Sequence, residues 1–367
     1  MKILFDATGF ELSLAGMSKS TSYLYEACIE KDSTIQFIGF TRGCNLSGLL
    51  EEIPMVKLSK NKFNLKYTRG TINELISKTG ADVIHFPYNG NIPSKLMNIK
   101  KIMTFHDVLP LEMPVHLLQE YRHVFYLYKP YYWFKRKQDV NIADVIFTDS
   151  EYSKRQIIKY FTPKKEPIVL PFGPTIRFPN QDLKIVIPKY QYFMYVGGYE
   201  PRKGIKDILK AFLNICKTKK ISYKLILVGK QKFIDLETDL LLKQCTEIDI
   251  IIQIGFVSDS ELAFYYAHAL GLIYLSKYEG FGLPPLEAMY LGCPVITTKY
   301  TSLPEICGTA ALYVEPDNVS EVSSAIDFVA TNENMRLNMT QEGKIQSLKF
   351  SWEKAADIFL NEIYSTI

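Results

Sequence analysis

Two glutamates, Glu279 and Glu287, stand eight positions apart in SKYEGFGLPPLEAMYLG, residues 276–292, around Gly280-Phe281-Gly282-Leu283 and a Pro-Pro pair. GLIYLS, residues 271–276, reads as a buried strand, so residues 279–283 form the loop at its carboxyl end. A proline fits the first helical turn, where a missing N–H costs nothing, and the helix stops at Gly292. Glu287 then lies in the first turns of that helix and Glu279 on the opposite lip of the loop. In an open α/β sheet this is where ligands bind, with helix N-terminal amides facing anions. The helix dipole accounts for one acid near a helix start but not for two. Two carboxylates flanking the N–H groups of Gly280, Phe281, Gly282 and Leu283 suit an elongated ligand with phosphate in its middle and hydroxyls at both ends, the layout of a nucleoside diphosphate sugar. Pairs of acids are common at any spacing, so this one needs a second signal.

That signal is VGGYEPRKGIKDILKAF, residues 196–212, again strand, turn and helix, with Gly198 in the turn and Arg202 and Lys203 where the turn enters the helix. Cations at a helix start oppose its dipole and therefore have another use. Arg offers a bidentate fork and Lys a point charge, together enough to neutralise a departing diphosphate without a metal ion. No Asp-x-Asp occurs in the chain, so neither a metal nor another cofactor is expected. The absence of G-x-G-x-x-G after the first strand and of a Walker A sequence argues against a dinucleotide oxidoreductase and a P-loop NTPase. The six cysteines are scattered, with no C-x-x-C pair and no histidines at metal-ligand spacing, which speaks against zinc and a disulfide framework and fits a reducing cytosol.

The elements that must position these residues alternate. Apolar runs KILFDA, IQFIGF, DVIHFP, KIMTFHD and DVIFTDS, then YFMYVGG, KLILVGK, IIIQIGFV, GLIYLS and CPVITTK, are separated by stretches of helix length. Continuous apolar strands alternating with helices predict parallel sheets covered on both faces, an α/β chain. At 367 residues it exceeds what one core organises, and an apolar fraction of 47% excludes disorder, so two Rossmann-like domains are expected. The break falls in residues 170–190, where Pro171, Pro174, Pro179 and Pro188 interrupt any regular element. This gives domains at 1–175 and 176–346 and a C-terminal helix at 347–367, capped by Ser351. The N-terminus has no signal-peptide pattern, and no apolar run reaches the roughly 18 residues of a membrane span. The charge is uneven, +7 over residues 1–180 and −3 over the rest. The basic half could meet an anionic membrane or acceptor, or carry an ordinary excess of lysine.

VGGYEPRKGIKDILKAF, KLILVGK, GFVSDSELAFYYAHA and SKYEGFGLPPLEAMYLGCPVITTKYTSLPEICGTAALYVEPDN, in this order, resemble glycosyltransferase family 4, most closely over residues 192–318. The resemblance implies the GT-B fold, two Rossmann-like parallel-sheet domains facing across a cleft, with the acceptor on the first and the nucleotide sugar on the second. It implies retention of anomeric configuration, with Glu279 near the donor sugar hydroxyls, Glu287 on the ribose, Arg202 and Lys203 on the diphosphate, and backbone contacts from 280–283. It also places His106, in TFHDV, at the transferred sugar, Gly16 of ELSLAGMSKST at the phosphates and acceptor, and Val257 near the base. The Gly-Arg-Tyr that mannosyl-type members often carry at the Gly16 turn is missing.

The Gly-Leu-Pro-Pro-Leu-Glu form resembles mannosyl- and rhamnosyl-transferring members. GDP-mannose is therefore the first donor expected, with UDP- or dTDP-sugars as alternatives, and the acceptor a growing surface polysaccharide or a lipid-linked oligosaccharide. A nucleotide-sugar 2-epimerase, a phosphorylase and a catalytically silent nucleotide-sugar binding subunit are the competing readings; hydrolysis is disfavoured because the two acids would sit at opposite ends of the ligand. Residues 116–138, HLLQEYRHVFYLYKPYYWFKRKQ, carry six tyrosines or tryptophans and end in Lys-Arg-Lys. This blend fits either peripheral contact with the inner face of the cell membrane or an aromatic helix face packed on the first domain. A cytoplasmic location and no nucleic-acid partner are expected.

Overall fold

The computed structural model describes residues 1–12, 15–41, 50, 52–58, 69–90, 92–93, 95–96, 98–114, 117, 125–178, 188–231 and 234–367. They gather into two compact units, one of residues 1–108, 127–175 and 350–367, the other of 109–126 and 176–349.

In the first unit, strands β1 (Lys2–Asp6), β2 (Gln36–Thr41), β3 (Met55–Lys57), β4 (Val83–Phe86), β5 (Lys100–Thr104), β6 (Val145–Thr148) and β7 (Ile168–Val169) form one sheet. Its order is β3-β2-β1-β4-β5-β6-β7, and every pairing is parallel. β4 and β6 are buried at every position, as strands covered on both faces must be. Helices α1 (Ala15–Lys31), α2 (Arg69–Thr79), α4 (Phe125–Ile142) and α5 (Glu151–Phe161) lie between these strands in the chain; the short α3 (Leu109–Glu112) groups with the second unit. The last helix, α13 (Trp352–Thr366), belongs to the first unit and packs on α1. Ser351 caps it by accepting from the Lys354 N–H at 3.1 Å. Asp357 reaches Lys31 of α1 at 2.7 Å, and Trp352 stacks on Phe172 while its indole donates to the Pro174 carbonyl.

In the second unit, β8 (Gln191–Val196), β9 (Tyr223–Val228), β10 (Ile251–Gly255), β11 (Gly271–Tyr274), β12 (Val295–Thr297) and β13 (Ala311–Tyr313) form a parallel sheet of order β10-β9-β8-β11-β12-β13. Helices α6 (Ile205–Thr218), α7 (Leu236–Glu247), α8 (Asp259–His268), α9 (Leu283–Tyr290), α10 (Leu303–Cys307), α11 (Val319–Thr331) and α12 (Glu333–Ser347) join and follow them. α6 buries Ile205, Ile208, Leu209 and Phe212, an i, i+3, i+4, i+7 stripe, against Phe193 and Leu225 of the sheet. The chain runs outward from β8 to β10 and then returns to the other side of β8 as β11. The carboxyl ends of β8 and β11 are therefore the point where the winding reverses, and the loops leaving them diverge to opposite sides.

All ten apolar runs read from the sequence are strands. The three it did not offer, β3, β7 and β13, have three residues or fewer and end their sheets, where little apolar surface needs covering. Of the proline-rich segment 170–190, residues 179–187 lie outside the described residues, as do 116 and 118–124 of the aromatic segment. From Phe125 that segment is α4, and of its Lys-Arg-Lys ending only Lys137 is exposed. Arg136 is buried, and Lys135 and Arg136 both close on Asp139 at 3.0 Å because helical spacing brings positions three and four apart onto one face. Among the described residues no helix is long and apolar enough to cross a membrane, and the five described cysteines are all free.

Candidate functional site

The loops leaving β8 and β11 are welded together before any side chain is considered. After β8 comes a single turn of 3₁₀ helix, Pro201–Lys203, followed by Gly204 at φ 73°. A Cβ on Gly204 would stand 2.2 Å from the Leu275 carbonyl oxygen, so a glycine lets the turn lie directly on the end of β11. The Lys277 N–H donates to the Arg202 carbonyl at 2.7 Å, completing the seam. On the other flank, the hydroxyls of Thr297 and Thr298 donate to the carbonyls of Tyr274 and Ser276 at 2.8 and 2.9 Å.

Onto this frame the sequence places Lys203 and Glu279 face to face. Lys203 Nζ donates to Glu279 Oε1 at 2.6 Å, and Arg202 Nη1 lies 3.6 Å from the same oxygen while bonding the Tyr278 carbonyl at 3.1 Å. Tyr274, the last residue of β11, donates its hydroxyl to Glu279 Oε1 at 2.7 Å and receives Lys203 Nζ at 3.0 Å. The backbone of Glu279 is fixed as well, its N–H on Thr301 Oγ1 and its carbonyl accepting from Ser302 Oγ, both at 3.0 Å. The side chains of Lys203 and Glu279 are each only 13% exposed. Burial pushes the Glu279 carboxyl up, but the Lys203 and Arg202 charges outweigh it and hold the group at about 2. Burial likewise pulls the Lys203 ammonium below its ordinary value, with Glu279 opposing.

The other candidates in this unit surround the pair. Gly198 follows β8, and its carbonyl accepts the Tyr195 hydroxyl. Gly280, Phe281 and Gly282 lead into α9. Gly282 caps it at φ 123°, Leu283 opens it, and Pro284 and Pro285 fill its first turn as the sequence requires. Glu287 lies one turn further along α9 and is buried; its charge, after burial, helps push the Tyr266 phenol up. Val257 is partly exposed just before α8, beyond the carboxyl end of β10 and so two strands from β8. Among the described residues no three His, Cys, Asp or Glu side chains gather as metal ligands would.

His106 and Gly16 belong to the first unit. Both His106 ring nitrogens are engaged there, Nδ1 with Asp149 Oδ2 and Nε2 with the Pro87 carbonyl, each at 3.1 Å. Burial lowers its basicity but the Asp149 bond raises it further, so the net direction is upward. Gly16 is exposed in the first turn of α1, with open space where a Cβ would stand. Sequence reasoning missed Tyr274, Thr301 and Ser302. Tyr274 sits in an apolar run and reads as core, while the two hydroxyls lie over twenty residues from Glu279 in the chain.

Residues 179–346 match the family "Glycosyl transferases group 1". The chain is 32% identical over 295 residues to the O-antigen chain mannosyltransferase B of Escherichia coli, covering 76% of this chain and 74% of that protein. To the serotype-specific mannosyltransferase WbdA of Escherichia coli it is 25% identical over 286 residues, 74% of this chain but about a third (34%) of that longer protein. Anabaena HepE, solved in complex with UDP-glucose, superposes over 100% of both chains with a TM-score of 0.77 at 17% identity, which speaks for the fold. The chain belongs to the group 1 glycosyltransferases, and its fold is GT-B, with two parallel-sheet Rossmann-like domains.

Proposed function

We propose that the protein is a retaining, metal-independent transferase that moves a hexosyl group, mannose from GDP-mannose, onto a growing surface polysaccharide or a lipid-linked oligosaccharide. One observation carries the donor side of this reading: Arg202, Lys203 and Glu279 converge where the strand order reverses, two cations against one carboxylate in a nearly closed setting. The cations suit the diphosphate and the carboxylate suits sugar hydroxyls. Mannose is chosen because both relatives compared above are named mannosyltransferases. The surface-polysaccharide acceptor follows from the O-antigen chain in the first name.

In the reaction the bond between sugar C1 and the phosphate oxygen breaks, and its electron pair stays on the departing diphosphate. Arg202 and Lys203 stabilise that charge as it grows, the main catalytic contribution in such a site. The acceptor oxygen bonds to C1 on the face the diphosphate leaves, and its proton passes to the leaving phosphate, so no protein nucleophile is needed. Glu287 takes the ribose, and 280–283 supply backbone contacts. The first unit takes the acceptor. His106 faces the transferred sugar, Gly16 the phosphates and acceptor, and Val257 the base.

Contact with a membrane is part of the same proposal. On α4, Tyr131, Trp133 and Phe134 are 62%, 37% and 65% exposed, and Lys137 lies over the Trp133 ring, an aromatic and basic surface suited to a lipid interface.

The test is thermal shift in EDTA against UDP-, GDP-, dTDP- and ADP-sugars, followed by product analysis with a lipid-linked acceptor. A ligand at a hundred times its Kd adds about 2.7 kcal/mol to the folded state. Stabilisation by GDP-mannose with mannosyl transfer is expected. If none of the sugars stabilises the protein, the donor site is assigned wrongly.

A further inference from the structure

Glu279 Oε1 is shared by three groups, Lys203, Tyr274 and, further off, Arg202. Two of them are cations that the arriving diphosphate would compete for. The third is neutral, offers the diphosphate no positive charge, and is fixed from below. Tyr274 is 1% exposed, its strand is paired on both sides with β8 and β12, and its carbonyl holds the Thr297 hydroxyl. Its hydroxyl donates to the carboxylate at 2.7 Å and so favours the charged form that accepts sugar hydroxyls.

Building on the donor reading above, we propose that Tyr274 is a positioning residue for sugar transfer: as the diphosphate draws Lys203 and Arg202 away, the Tyr274 hydroxyl stays on Glu279 and keeps the carboxylate ionised and aimed at the sugar. The ligand-free bond between Lys203 and Tyr274, by contrast, is given up. Nucleotide affinity therefore depends only weakly on the phenol, through that one bond to a neutral hydroxyl, while the transfer step depends on it directly.

Tyr274→Phe keeps the ring and removes only the oxygen. The expected result is a fall in kcat of about 10- to 100-fold, the value of one hydrogen bond to a charged group. The donor KM and the nucleoside diphosphate Kd should stay within about threefold. The acid limb of thermal stability, measured without any donor, should move to higher pH because Glu279 has lost a bond to its charged form. An unchanged kcat and acid limb overturn the proposal, and so does a loss of nucleoside diphosphate binding in step with kcat. Glu279→Ala run alongside keeps the two readings apart: normal transfer by that variant sinks the donor-site assignment, and the acid limb of Tyr274→Phe still decides whether the phenol supports the carboxylate.

Discussion

Glu279→Gln should make the protein bind nucleoside diphosphates more tightly while destroying transfer. Without ligand, Lys203 and Glu279 satisfy each other at 2.6 Å, so each of the groups assigned to opposite parts of the donor is occupied by the other. A pair this close in a setting of effective dielectric about 20 has a gross attraction of about 6 kcal/mol, much of which desolvation cancels. The carboxyl gives the order of magnitude for Lys203 and Arg202 acting together against that burial. A fall from 4.5 to about 2, at 1.36 kcal/mol per pH unit, is about 3 kcal/mol of stability at neutral pH. The sign is that of a depressed acid: the contribution is complete above pH about 4.5 and lost as pH falls toward 2. Removing the charge should therefore lower Tm by about 6–12 °C for a unit of this size and flatten the acid limb. It also leaves Lys203 without its anion, which a diphosphate can replace. Recovery of half the lost interaction is about 1.4 kcal/mol, a tenfold lower Kd. Calorimetric titration of GDP and UDP into wild type and variant, with EDTA at pH 7.5, gives the comparison. Equal or weaker binding by the variant would refute the exchange of Lys203 from carboxylate to phosphate.

Three other outcomes follow from the same structure. Gly204→Ala forces a side chain into a left-handed conformation with its Cβ 2.2 Å from the Leu275 carbonyl oxygen, so a loss of more than about 2 kcal/mol in urea unfolding and weakened nucleotide binding are expected; an unchanged midpoint would mean the seam can open without penalty. Asp149→Asn strips the buried His106 of its anion and should lower stability at acid pH, where the imidazole is protonated. Because the folded basicity of His106 is raised, its contribution is full below its ordinary value of 6.5 and lost as pH rises through the raised one; Asp149→Asn should abolish that alkaline loss, and parallel pH–stability curves would contradict it. Co-sedimentation with anionic vesicles at low salt should capture the wild type and release a Tyr131→Ser, Phe134→Ser double variant, whereas wild type left in the supernatant removes the membrane contact.

Legibility in the sequence followed burial and chain proximity. Parallel strands covered on both faces leave unbroken apolar runs, and each of the ten long ones was readable, while β3, β7 and β13 were not because an edge strand of two or three residues needs no such run. The loop, proline turn and glycine stop of α9 were equally plain, since backbone chemistry alone specifies them. What the sequence could suggest but not join was the pairing itself. Arg202 and Lys203 stand more than seventy positions before Glu279, and their misfit with a helix dipole said only that they serve something else. The partner emerges from strand order: a sheet that winds outward from β8 and then reverses to β11 brings the two loops to one spot, and the left-handed turn at Gly204 seats one on the other. Tyr274 shows the opposite limit. Its alternation and neighbours mark it as core, and core it is, yet the oxygen at the ring's end reaches the charged pair. A buried tyrosine at the carboxyl end of a strand beside a winding reversal is thus a chemical candidate on position alone, because the strand hides the ring while the reversal point collects the loops its hydroxyl can touch.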